Sequence, residues 1–168
     1  MEAPTTSAPP KQPTANDIGT LQFVYGLELA MNTLYLKAAS KVDKDTKPVI
    51  EMFGAHHLAY AQSIAGLLGR NAPTEMNKSF FAAFSSAAAN GSGKEIAATL
   101  LTLENTMMKT HNGVLSVLAG TDGAKLVASI IAVQARHAAV LAGLAGKTDL
   151  DSLLDNPAEA LSPETYRA

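Results

Sequence analysis

Four polar residues of this 168-residue chain sit where a core leucine would be expected. Glu28 lies among Val24, Leu27, Met31 and Tyr35, and His57 among Phe53, Tyr60, Ala61 and Ile64. Glu104 lies among Leu100, Leu101, Leu103, Met107 and Met108, and His137 among Val133, Val140, Leu141 and Leu144. Residues three and four apart share a helix face, so all four side chains point into a core. A carboxylate there is costly unless it is paired or bound to metal. Two carboxylates and two imidazoles are a donor set suited to Fe, Mn or Zn. One such ion, or none, is the cofactor expectation. The competing reading is a metal-free network, each Glu pairing with a His or with Arg136 across the core.

The anomaly repeats. LELAMNTLYLKA aligns with LENTMMKTHNGV, matching Glu28 with Glu104, Met31 with Met107 and Tyr35 with His111. GAHHLA aligns with QARHAA, matching Gly54 with Gln134 and His57 with His137. A helical hairpin thus occurs twice, each copy supplying one Glu and one His. Tyr35, Tyr60, His111 and Gln134 are expected around them, orienting ligands or satisfying a carboxylate. Packing at a bundle edge is the alternative for the tyrosines and His111. His56 lies about 100° around the helix from His57 and is expected at the surface. Met31, Met107 and Met108 are expected as core filler.

The elements that must position these residues are helices. Apolar residues make up 47%, with Ala and Leu dominant and β-branched residues sparse, which favours helix. Helix one is expected from Asp17 to Ser40, capped at Asn16 or Asp17. Helix two runs from Pro48 to a stop at Gly69. Residues 70–93 form a long connection in which SFFAAFSSAAA reads as a short helix. Ser92 and Glu95 then form a capping box opening helix three, which extends to Leu118. Helix four covers Ala124 to Leu144 after a turn at Gly120–Gly123, with Asp122 as its cap. Short loops within each pair and a long loop between pairs imply two antiparallel hairpins joined by a crossover, so that helices two and three run parallel. The expected domain is residues 17–146, with residues 147–168 a C-terminal tail holding one short helical piece.

Composition excludes several functions. The chain has no cysteine, which removes disulfides, zinc-thiolate sites and thiol catalysis. Net charge is −2 without a basic block, so no nucleic-acid footprint is read. No uninterrupted apolar run reaches the ~18 residues of a membrane span. Residues 1–16, MEAPTTSAPPKQPTAN, read as a flexible Pro/Thr-rich linker, either a tether of the kind that follows a removed signal sequence or a plain disordered terminus. An extracytoplasmic location in the cell envelope is the expectation, with the cytoplasm left open.

LELAMNTLYLKAA is similar to the Glu-bearing, Tyr-ended first helix of bacterial ferritin-like domain proteins of the actinobacterial, often exported, type. FGAHHLAYAQSIAGLLGRNAP resembles their second helix, LLTLENTMMKTH their third, and IIAVQARHAAVL their V-E-A-x-H-A segment. ALSPETY resembles their ending. The resemblance covers residues 17–168 and implies an all-α, ferritin-like antiparallel four-helix bundle with a long crossover between helices 2 and 3. A full di-iron bundle takes a Glu from each of two helices and Glu-x-x-His from each of the others. Here Gly54 and Gln134 stand at the Glu-x-x-His carboxylates, and Tyr60 stands where relatives carry a His. The retained candidates are Glu28, His57, Glu104 and His137, enough for one metal.

The resulting expectation is a ferritin-like bundle with a reduced metal site, either non-catalytic or single-metal-binding and structural. The alternative is a di-metal iron or manganese oxidase or ferroxidase using Gln134 and Tyr60 as unusual ligands. A third reading is an interaction module, a homo-oligomer or a protein partner using the small-residue faces AGLLG and AGLAG.

Overall fold

The computed structural model describes residues 8–166. Four long helices carry the fold: α1 (Ala15–Ala39), α2 (Lys47–Leu68), α4 (Gly93–Leu115) and α5 (Thr121–Leu144). The crossover holds α3 (Lys78–Phe84), and α6 (Leu150–Leu154) follows the bundle. Pro48 lies in the first turn of α2, where its missing N–H costs nothing. Gly69 ends that helix at φ 54°, a conformation that favours glycine. The Ser92–Glu95 box opens α4: Glu95 accepts from the Ser92 amide at 2.7 Å. α4 ends at Leu115 and α5 begins at Thr121, capped by Gly120 rather than Asp122.

Cross-helix bonds give the directions. Asn32 binds the Gly54 carbonyl at 2.8 Å and Glu28 meets His57 at 2.6 Å, so α1 and α2 are antiparallel. His111 meets Gln134 and Glu104 meets His137, so α4 and α5 are antiparallel too. Tyr35 reaches Glu104 while Glu28 faces His111, which makes α1 antiparallel to α4. Hence α2 and α4 run parallel, the arrangement the long crossover requires. Leu27, Met31, Leu34, Ile50, Leu100, Leu103, Met107 and Leu141 fill the core. Met31 and Met107 are fully buried and Met108 packs against the core from its edge, as their positions on the apolar stripes imply.

Asn77 holds the crossover against α1. Its amide donates to the Gly26 carbonyl at 2.9 Å, and its side-chain oxygen caps α3 through Phe80 N–H. Gly26 leaves room for this approach, since a Cβ there would lie 3.3 Å from the Asn77 nitrogen. The Asn77 Nδ2 reaches the Tyr166 carbonyl at 2.8 Å. Together with Leu161 N–H on Thr110 Oγ1, this straps the C-terminal segment onto the bundle. By length and composition alone, α5 is apolar enough to cross a membrane. Here it packs on α4 and α2 as a bundle helix.

The linker expectation for residues 1–16 needs revision. Residues 1–7 lie outside the described residues, but residues 10–14 lie against the α4–α5 turn. The Pro10 and Lys11 carbonyls accept from the Thr121 and Asp122 amides at 2.9 and 3.0 Å, so the segment caps α5. Gly120 permits the contact, because a Cβ there would sit 2.6 Å from the Gln12 carbonyl oxygen. Helix α1 accordingly starts at Ala15, ahead of Asp17.

Asp17 locks this corner. Its buried carboxylate accepts from the Thr14, Ala119 and Gly120 amides at 2.7–2.9 Å. Desolvation opposes its charge, but the three backbone donors outweigh that and lower its pKa. A lowered carboxyl stabilises the fold above its ordinary value of 3.8 and stops doing so as pH falls through the folded value beneath it. Asp17→Ala is expected to cost about 1–3 kcal/mol at neutral pH. In urea titrations the gap between wild type and variant should close as pH drops below that value; a gap independent of pH would contradict the charge-based lock.

Candidate metal centre

The four anomalous residues meet at one level of the bundle. His57 on α2 is the hub. Its Nδ1 lies 2.6 Å from Glu28 Oε2 and its Nε2 lies 3.0 Å from Glu104 Oε1. Ionised carboxylates only accept, so both ring nitrogens carry protons and His57 is an imidazolium. Burial alone would drive its proton off; the Glu104 and Glu28 charges outweigh burial and raise its pKa to about 10. In return, the His57 charge overcomes the desolvation of both carboxyls and holds them below the usual range.

Glu104 Oε1 also accepts from Tyr35 OH at 2.5 Å and faces His137 Nδ1 at 3.0 Å. Burial and the Glu104 charge push Tyr35 well up, so it stays a neutral donor. The second oxygen, Glu104 Oε2, is buried and has no hydrogen-bond partner among the described residues. On the other side, Glu28 Oε1 accepts from Gln134 Nε2 at 3.2 Å, and Gln134 Oε1 faces His111 Nδ1 at 3.0 Å. His111 Nε2 is 3.1 Å from Glu28 Oε1 but off the line of a hydrogen bond. Tyr60 is half-buried and touches His57 through a ring edge at 5.9 Å. Its hydroxyl pKa is raised by burial and the two carboxylates.

The sequence repeat appears here as a pseudo-two-fold. In each half the histidine places Nδ1 on its own half's glutamate, His57 on Glu28 and His137 on Glu104. Across the halves, Tyr35 meets Glu104 as its counterpart His111 meets Glu28. The symmetry breaks at His57 Nε2, which crosses to Glu104.

The positions Gly54 and Gln134, expected from the resemblance to stand at carboxylate sites, are filled differently. A Cβ on Gly54 would lie 2.9 Å from Tyr35 Cβ, so Tyr35 takes the space next to it. Gln134 is buried and bonded to both His111 and Glu28. His56, placed at the surface by helical phase, is instead half-buried. Its Nδ1 lies 2.9 Å from His137 Nε2. Helical phase alone did not reveal this, since the partner comes from α5.

Among the described residues, one group of potential ligands converges: atoms of His57, Glu104 and His137 all lie within 4.8 Å of one another, and all three residues are buried. Glu28 stands behind His57 rather than in this group. Two nitrogens and a carboxylate suit a borderline divalent cation, and the unpartnered Glu104 Oε2 supplies a lone pair already stripped of water. The residues present therefore fit one ion.

Comparisons with curated proteins and with solved structures return no match. A family model described as the ferritin-like domain matches residues 16–147, which spans the four long helices apart from Ala15 and includes every residue of the cluster. The chain belongs to the ferritin-like domain family.

Proposed function

We propose that this protein is a ferritin-like bundle with a single-metal or structural centre rather than a di-metal oxidase. The observation that carries this is the buried Glu104, whose Oε1 lies 3.0 Å from both His57 Nε2 and His137 Nδ1 and whose Oε2 has no partner among the described residues. His57 through Nε2, Glu104, and His137 through Nδ1 would hold one divalent ion. Glu28 would act through His57, accepting its Nδ1–H as carboxylates commonly do behind ligating histidines. When bound, the ion supplies a fixed positive charge to a buried carboxylate. Without it, the His57 proton does the same. The oxidase alternative lacks the bridging carboxylates, and Gly54 has no space for one.

Zinc, iron(II) and manganese(II) loading followed by elemental analysis should give one equivalent per chain at most. Glu104→Gln should lose it while Gln134→Ala retains it. Two equivalents with oxygen-dependent turnover would sink the proposal.

Proton and metal compete for His57 Nε2. With the folded pKa at about 10, the metal must displace a proton at neutral pH. Apparent affinity should therefore rise about tenfold per unit between about pH 6 and 8. In chelator the sign reverses for stability. The raised value means that the His57 contribution is complete below 6.5 and lost as pH climbs through about 10. Denaturation midpoints of metal-free protein should fall over that window.

Gly54→Glu restores the family's carboxylate on paper but meets Tyr35 Cβ. It should destabilise the fold by about 1–3 kcal/mol and add no second metal. The paired change with Tyr35→Gly, which removes the clashing Cβ, should recover part of the loss; a two-metal Gly54→Glu protein would refute the steric argument.

A further inference from the structure

All four histidines of the chain lie in this one network, and His56 is the one that reaches solvent. Its ring is nearly coplanar with that of His137, at 11° and 5.1 Å between centroids. Together with the 2.9 Å Nδ1–Nε2 separation, this describes a hydrogen bond in the common plane of the rings. Phe53 stacks on His137 at 4.0 Å and 19°, fixing the ring's tilt. Phe53 cannot choose between the two ring nitrogens, because it offers neither donor nor acceptor. His56 can.

We propose that His56 is the positioning residue that commits His137 to present Nδ1 to the metal. The inference rests on the single-metal reading above. A ligating nitrogen must offer its lone pair, so the ring proton of neutral His137 must sit on Nε2. His56 Nδ1 accepts that proton's hydrogen bond, and His56 keeps its own proton on Nε2. The His56 acceptor thus stands to His137 as Glu28 stands to His57. Each ligating imidazole has one nitrogen held by a partner on a helix of the α1–α2 hairpin and the other facing the unpartnered oxygen's carboxylate. The two partners differ in one respect. Glu28 is sealed in the core, whereas His56 opens the His137 side of the site to solvent.

Two substitutions separate the acceptor from the ring. His56→Phe keeps an aromatic ring beside Phe53 and removes the acceptor. His56→Asn loses the ring but places a carbonyl oxygen about where Nδ1 stands. With cobalt(II) as probe on the full chain, we expect His56→Phe to bind about 10–100-fold more weakly than wild type, with altered d–d bands. His56→Asn should come within a few-fold of wild type and keep its spectrum. Equal affinity of His56→Phe and wild type would overturn the proposal. So would His56→Asn binding as weakly as His56→Phe, which would make the ring's packing the whole effect. Wild type taking up no cobalt would instead end the single-metal reading itself. Matching far-UV circular dichroism of the three proteins establishes that the bundle is intact.

Discussion

One imidazolium between two buried carboxylates is the constraint on which the bundle depends. His57 binds Glu28 with one nitrogen and Glu104 with the other, and in doing so ties α2 to α1 and to α4. None of the three charges is tolerable alone in that environment. Removing His57 would strand two carboxylates, and removing either Glu would strand a cation. Helix register around this level is therefore set by charge pairing, while the leucines and methionines above and below it supply the burial.

The remaining polar groups follow from that pairing. Tyr35 donates to Glu104 and is held neutral by burial and by that carboxylate's charge. Gln134 and His111 face Glu28 from the opposite side. Neither Gly54 nor Gln134 brings a charge to this level of the bundle. Tyr35 closes on Gly54, and Gln134 supplies a neutral donor to Glu28 and a neutral oxygen to His111. A centre with two negative charges and one resident proton needs fewer cations than one with four negative charges.

Away from the centre, the connections are held by a few buried polar side chains. Asp17 gathers three amides at the corner where the N-terminal segment meets the α4–α5 turn. Asn77 binds α1, α3 and the C-terminal strap at once. Both satisfy backbone groups that would otherwise be buried and unpaired, and both join segments far apart in the chain.

Much of this was legible in the sequence, for local reasons. Helix phase is a period of 3.6 residues, so Glu28, His57, Glu104 and His137 announced themselves by occupying apolar positions. The Ser92–Glu95 box, Pro48 and Gly69 marked helix ends because capping chemistry involves only near neighbours. The pairing of the halves followed from repeated spacing. Tertiary structure alone decided what each polar atom touches. His56 looked superficial because its partner lies on α5, 81 residues away. Residues 10–14 looked like free linker because the amides they cap belong to Thr121 and Asp122. That Gly54 is closed by Tyr35, and that Glu104 keeps one oxygen without a partner, depend on distances between helices. Periodicity along one helix cannot encode them.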